Sequence, residues 1–264
     1  AVMQSRLMSR TRRPDIEQYG SAIIVDGVSK KFRIPIEKKF TIFDNLVGLL
    51  RGGSYAYEDF LALQDVSFSV KRGETFGVIG PNGCGKSTLL KVLAGVLYPD
   101  CGSFSVSGRI APFLELGVGF QEELTARDNV YLYGAIMGLA KKDIDQRYED
   151  IMDFAELKRF ENMKLINFSS GMYVRLAFAT AIQTDPDVIL VDEVLSVGDE
   201  AFQKKCSQKI NQIRNSGKTI LLVSHDLEMV EKLCERCLLM NGGKMVFLGD
   251  TKSALDMYKK MRGR

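Results

Sequence analysis

The chain has 264 residues, of which 45% are hydrophobic and 26% charged, and a formal net charge of +3. That length and balance fit one large globular domain, or a core with a subdomain. So small a charge gives no argument for a nucleic-acid partner, and no run approaches the ~18 apolar residues of a membrane span.

Residues 1–20 are polar and carry Arg6, Arg10, Arg12 and Arg13. They read as a flexible basic tail, or as a contact for anionic lipid headgroups beside a membrane partner. The stretch has no apolar signal core, which argues against secretion. Residues 21–28 have the pattern of a first strand, and Leu61–Val70 alternates apolar and polar as a half-buried strand does. Between these expected sheet neighbours lies the segment 34–60. Within it Phe40, Phe43, Leu46, Val47 and Leu50 recur at helical spacing, and Gly52 and Gly53 supply a stop. This helix is expected either to pack on the core as a satellite or to offer a surface to a partner.

Glu74–Ile79 reads as a short apolar strand and Ser87–Val96 as a helix. Joining them, Gly80-Pro81-Asn82-Gly83-Cys84-Gly85-Lys86-Ser87-Thr88 matches the G-x-x-x-x-G-K-[ST] phosphate loop, in the strand–loop–helix setting it requires. Gly83 and Gly85 allow the tight turn that aims N–H groups at an anion. The following helix offers its positive end to phosphates. Lys86 can reach β- and γ-phosphate oxygens, and the Ser87 hydroxyl can ligate Mg²⁺. Cys84 reads as a small filler, with a reactive thiol at a helix N-terminus as the alternative.

Thr125–Met137, Asp143–Ala155 and Gly171–Gln183 read as consecutive helices, a helical subdomain inserted into an α/β core. Val188–Val191 and Ile220–Val223 are apolar runs of the kind that form buried parallel strands. The first ends in Asp192 and Glu193, where doubly wound sheets bind ligands. Asp192 would hold Mg²⁺ directly or through water, and Glu193 would orient or deprotonate the attacking water. The second is followed by Ser224 and His225, the only histidine of the chain. Its imidazole can bond a γ-phosphate and hold the water in line. Cys234 and Cys237 form a lone CxxC and read as structural, and the five cysteines as reduced thiols. A turn at Asn241-Gly242-Gly243 between two short strands and a helix near Ser253–Lys260 follow.

Phe168-Ser169-Ser170-Gly171-Met172, at a helix start, resembles the signature motif of ABC-type ATPases, usually written LSGGQ. The order of phosphate loop, signature, acidic strand and histidine resembles that family across nearly the whole chain, with Val194–Asp199 at the D-loop position. The resemblance implies an α/β P-loop NTPase core of ABC type with a mainly parallel sheet, an antiparallel β subdomain and an inserted α-helical subdomain. It implies a single ATPase domain over 21–264: core portions about 21–120 and 185–250, helices about 121–184, and a final helix about 251–264. It implies ATP and Mg²⁺ as cofactors. It also implies a head-to-tail homodimer, in which Ser169, Ser170, Gly171 and Met172 of one copy cap the ATP held by the phosphate loop of the other.

Two family positions stay open. The family's glutamine after the strand following the first helix has Glu115 at roughly its place, on an expected strand Arg109–Leu116, with Gln121 as the alternative. The aromatic that stacks on adenine is Phe32 by position, with Tyr55 or Tyr57 as substitutes. The stretches Ser169–Phe178, Glu193–Cys206 and Phe113–Phe120 together resemble ATPase subunits that energise export of lipid-linked polysaccharides, O-antigens or teichoic acids. In those subunits a helical element like 34–60 lies near the membrane partner. The resemblance thus implies a separate transmembrane ABC subunit, no nucleic acid, and a peripheral place at the cytoplasmic face of the inner membrane. Some relatives carry a further C-terminal carbohydrate-binding domain; 264 residues leave no room for one, so the chain is expected either to lack it or to be a truncation of a longer protein. An importer subunit, or a drug or lipid exporter, is the alternative within the family. A chromosome-structural or ribosome-associated ABC ATPase would need a coiled-coil insertion or a second cassette.

Overall fold

The computed structural model describes residues 20–35, 57–113, 117–192 and 198–263. β1 (Ser21–Pro35) and β2 (Tyr57–Lys71) pair antiparallel over almost their full lengths. β3 (Thr75–Ile79) then leads through the phosphate loop into α1 (Lys86–Leu93). β4 (Cys101–Val106) adds to the free side of β1, completing a three-stranded sheet ordered β2-β1-β4. β5 (Ile110–Phe113) precedes three helices, α2 (Ala126–Ile136), α3 (Lys141–Ala155) and α4 (Ser170–Ile182). β6 (Val188–Asp192), α5 (Glu200–Asn215), β7 (Thr219–Val223) and α6 (Leu227–Leu233) alternate after them. β8 (Arg236–Asn241), β9 (Lys244–Asp250) and α7 (Thr251–Arg262) follow.

The second sheet is ordered β5-β6-β7-β3-β8-β9, parallel throughout except for β9. Its inner strands are apolar on both faces because both faces are covered. Phe76, Val78, Leu190, Leu221 and Val223 enter one core, with α1 and the three-stranded sheet. The residues between them, among them Ile79, Ile189, Val191, Ile220 and Leu222, enter another, with the helices α2 to α5. The alternation is the period of two that a strand imposes. Gly77 belongs to the second face: a Cβ there would lie 2.5 Å from the Cys237 sulfur. The CxxC cysteines are thus packing groups against β3, both buried and both free thiols.

The structure departs from the sequence expectation in three places. β1 does not stop at residue 28 but runs on to Pro35, and β2 starts at Tyr57, so Phe32 faces Phe60 and Ile34 faces Glu58 across the ladder. Both ends of the segment 34–60 are therefore strand, and the helix expected inside it lies outside the described residues, as does the tail 1–19. Register shifts between Val25 and Lys31, with Gly27 at φ +61°, break the alternation that would have shown the longer strand. β4 was not expected at all, because C-G-S-F-S-V is polar and mostly exposed at a sheet edge. The strand expected over Arg109–Leu116 is described only as Ile110–Phe113.

Candidate nucleotide-binding site

Val78, Val223 and Asp192 stand in one register row across the adjacent strands β3, β7 and β6. Gly80 and His225 each follow two residues past that row, on strands about 4.8 Å apart. Register alone thus brings the phosphate loop, Asp192 and His225 out at one edge of the sheet, as their strand-end positions predicted. His225 is exposed there.

The loop's shape is over-determined. Gly80 has φ +151° and Gly85 φ +105°. A Cβ at Gly80 would lie 2.2 Å from the Met240 carbonyl oxygen, and one at Gly85 2.4 Å from that of Ala62. Neither position accepts another residue, on conformation or on space. The Gly243 N–H donates to the Cys84 carbonyl at 3.1 Å, and its own carbonyl accepts from Gln64 N–H at 2.8 Å. The β8–β9 turn therefore braces the loop against β2. Lys86 is buried, and its ammonium donates to the carbonyls of Gly80 at 2.8 Å and Pro81 at 3.0 Å. Burial pushes the Cys84 thiol up from its ordinary pKa, which works against thiolate chemistry at this helix start.

α1 begins without a side-chain cap. α3, after Ala140, likewise has no side-chain cap, whereas α2, α4, α5, α6 and α7 are capped by Thr125, Ser169, Asp199, Asp226 and Asp250. At α1 it is the glycine loop, not a side chain, that meets the first N–H groups, and such groups can serve an anion. A cavity of about 650 Å³ opens over them, lined by Phe60 and Ala62 of β2, by Asn82, Gly83 and Gly85–Thr88, and by Asp192. It combines an aromatic wall, N–H groups, an ammonium and hydroxyls with one carboxylate opposite, a set suited to a base or sugar joined to a polyphosphate. The Ser87 hydroxyl and the Asp192 carboxylate share the cavity. They are hard oxygen donors of the kind Mg²⁺ takes together with phosphate and water. Among the described residues no group of three His, Cys, Asp or Glu could cage a metal.

A second cavity, about 550 Å³, surrounds the first turn of α4 and shares no lining residue with the first. Ser169, Ser170, Gly171, Met172 and Asp199 all line it. Ser169 Oγ accepts from Met172 N–H at 3.2 Å. Gly171 has an ordinary φ, and a Cβ there would meet only Ser169 Oγ at 3.9 Å. Among the described residues nothing demands glycine at 171, whereas close approach of another group would. Arg175 pairs with Glu156 at 2.8 Å and also with Asp199, whose other oxygen accepts from Phe202 N–H at 2.9 Å. The Phe202 amide, with the Arg175 guanidinium adding to it, holds the Asp199 carboxyl below its usual range. Lys205 first and Arg175 second do the same for Glu156.

The remaining expected site residues are not among the lining of either cavity as described. Glu193 and Glu115 lie outside the described residues, as does Tyr55. Gln121 sits on the loop before α2, its side chain exposed and its backbone bonded on both sides to Asn129. Phe32 is exposed on β1, and Tyr57 is exposed at the start of β2. Among the described residues the aromatic that lines the first cavity is Phe60, the partner of Phe32 across the ladder. The alternating pattern of the sequence starts that strand at Leu61, one residue beyond Phe60. Its signal was an aromatic in phase with Ala62, one strand turn before the alternating run.

The family model described as ABC transporter matches residues 63–196. The chain is 46% identical over 202 residues to the ABC transporter protein AbcA of Aeromonas salmonicida, a match covering 76% of this chain and 66% of that protein. It therefore spans just under two thirds of that relative. It is 43% identical over 212 residues to the O-antigen export system ATP-binding protein RfbB of Klebsiella pneumoniae, covering 80% of this chain and 84% of the other. A solved ATP-binding subunit of an ABC transporter superposes with a TM-score of 0.69 at 24% identity, over 92% of this chain and 94% of its own, a likeness of fold.

Proposed function

Because the chain belongs to the ABC transporter family, we propose that it binds ATP between two copies of itself and hydrolyses it to drive a separate transmembrane subunit. One observation carries the reading: Lys86, Ser87 and Asp192 line a single cavity over an uncapped helix start. The α1 N–H groups and Lys86 hold the phosphates. Phe60 offers its ring to the base. Glu193, next in sequence to Asp192, takes a proton from water as the water oxygen attacks the γ-phosphorus, and the β–γ bridging oxygen leaves with ADP. His225 orients that water from the neighbouring strand end. Ser87 and Asp192 would hold Mg²⁺, which when bound neutralises phosphate charge.

The first cavity has no signature residue, so its lid comes from elsewhere. Ser169–Met172 of a second copy supply it, which accounts for a glycine at 171 that packing among the described residues does not need. Asp199 then stands at the same junction. The domain runs over 21–264, with α2 to α4 as its helical subdomain. The transported class is a lipid-linked polysaccharide such as an O-antigen or a teichoic acid. What supports it is the name of the RfbB relative and the signature variant at 169–178. The chain works at the cytoplasmic face of the membrane through its partner; among the described residues no helix is long and apolar enough to cross a bilayer. The segment 34–60 is its contact with that partner.

Phosphate release from ATP by the purified chain with Mg²⁺ tests the enzymatic part. Lys86→Ala should weaken ATP binding roughly 10- to 100-fold, the cost of its charged hydrogen bonds. Undiminished binding would remove the loop from the site. Loss of the chain from cells should leave lipid-linked glycan on the inner face; a defect in solute uptake instead would favour an importer.

A further inference from the structure

Two sequence stretches that no catalytic step uses, Gly117–Phe120 and the Tyr173–Arg175 region, meet in the structure. Tyr173 lies one residue beyond the signature, in the first turn of α4, and its N–H donates to the Ser169 carbonyl at 3.0 Å. Its hydroxyl donates to the Gly117 carbonyl at 3.0 Å. Its ring lies against the Gly117 Cα so closely that a Cβ there would be 2.5 Å from Cε1. Gly117 has φ +82°, so both the turn and the ring exclude a side chain. Phe120, at the end of the same segment, packs edge-on to Tyr173 and to Tyr133 of α2, each with ring centroids 5.1 Å apart. The segment therefore touches the signature helix through one hydroxyl and one ring face.

We propose that Tyr173 is a positioning residue that ties the first turn of α4 to the segment 117–120, and so sets the orientation in which the signature meets the nucleotide of a second copy. The proposal deepens the function proposed above and rests on its shared ATP site. The turn holds Ser169 Oγ, Gly171 and the helix-start N–H groups in one piece, so any rotation of the turn moves all of them together. Without the hydroxyl bond the turn samples other orientations, and only the competent fraction closes on a partner. The phosphate loop is unaffected, because Tyr173 lines neither half of the first cavity. An ordinary packing residue would lower stability without separating these two steps.

The test compares Glu193→Gln with Glu193→Gln/Tyr173→Phe, which keeps the ring and removes the hydroxyl. Light scattering measures the ATP concentration at which half the protein is dimeric, equilibrium binding measures ATP affinity at protein concentrations too low for dimers, and thermal melting measures stability. A bond of this kind changes an equilibrium roughly three- to ten-fold, and each dimer carries two. The expected result is a half-dimerisation concentration raised roughly five-fold or more, with monomer ATP affinity unchanged. Gly117→Ala, which displaces the ring, should give the same shift, and combining the two should add little further. A Glu193→Gln protein that stays monomeric in ATP overturns the shared site and the proposal together. A dimer that forms at the same ATP concentration with Tyr173→Phe overturns the proposal alone. Equal losses in monomer affinity and dimerisation would make Tyr173 a packing residue, and also overturn it.

Discussion

Replacing Asn129 with alanine is a direct trial of how the loop into the helical layer is held. Asn129 is fully buried in α2. Its Oδ1 accepts from Gln121 N–H at 2.7 Å, and its Nδ2 donates to the carbonyls of Gln121, Thr125 and Leu124 at 2.9, 2.9 and 3.3 Å. The carbonyls have second partners: Leu124 N–H on Gln121, Asn129 N–H on Thr125, and Leu165 N–H on Leu124. The Gln121 amide is the group that loses its acceptor. One orphaned donor costs about 1–3 kcal/mol, and truncating a buried side chain adds about 1 kcal/mol more. A loss of about 2–4 kcal/mol lowers the melting temperature by roughly 5–15 °C in a chain of this size. Circular dichroism melts should show it, while ATP affinity well below the melt stays as in the parent, since Asn129 lines neither cavity.

Asn129→Asp sharpens the trial. It keeps the acceptor but turns the donor into a carboxylate oxygen facing three carbonyls. Burial and those dipoles raise its pKa in the folded state above the unfolded value near 3.9. A raised folded pKa means that stability is retained below the unfolded value and lost as pH climbs through the folded one. The variant should therefore approach the parent at pH 4 and fall progressively behind it towards pH 7. A melt lowered by less than about 2 °C for the alanine variant, or an aspartate variant indifferent to pH, would refute the reasoning.

Other expectations concern the two cavities. Phe60→Ala should weaken ATP binding by about 1–3 kcal/mol, the worth of an aromatic stack on a base, and leave tripolyphosphate binding alone; a larger loss in Phe32→Ala would move the stack to β1. His225→Ala should lose turnover in phosphate-release assays and keep ATP affinity. Glu156 and Asp199 have pKa values lowered from 4.5 and 3.8, so the stability that their pairs contribute is present above those unfolded values and lost as pH falls through the folded ones. The melting difference between the parent and Arg175→Met should accordingly hold from pH 7 to about 5 and shrink below about 4; a difference that grows in acid would contradict this.

What the sequence made legible was whatever depends on short-range pattern. The phosphate loop, Asp192 and His225 could be placed because each sits at the end of an apolar run, and a parallel sheet gathers such ends at one edge. The three helices of the inserted layer followed from their periodicity, each end to within about two residues. Long-range pairings were not legible. Nothing local announces that Phe60 reaches the phosphate loop, because that depends on β2 crossing over α1's start and on the β8–β9 turn bracing both. Nor does a motif reveal that Tyr173 bonds Gly117, since the two are 56 positions apart. The longer β1 was hidden by bulges, and β4 by its serines. An edge strand with one wet face has no need of the apolar signature that identifies an inner one.

The two cavities are joined by a short piece of chain, and that constrains any account of how they act together. Asp192 ends β6 in the first cavity and Asp199 begins α5 in the second. Seven peptide steps span at most roughly 25 Å, so these two residues cannot lie further apart than that. In the proposed head-to-tail dimer these ends belong to different ATP sites: Asp192 and Glu193 attend the nucleotide of their own chain, and Asp199 stands by the signature that caps the partner's. Arg175 then fixes the far end, tying Asp199 to Glu156 at the end of α3. The ion pairs thus hold the start of α5 to the helical layer, while Asp192 stands at the end of a strand of the sheet. In the proposed dimer, the carboxylate end of one ATP site and the signature side of the other therefore lie on one stretch of seven residues, the shortest covalent route between the two sites.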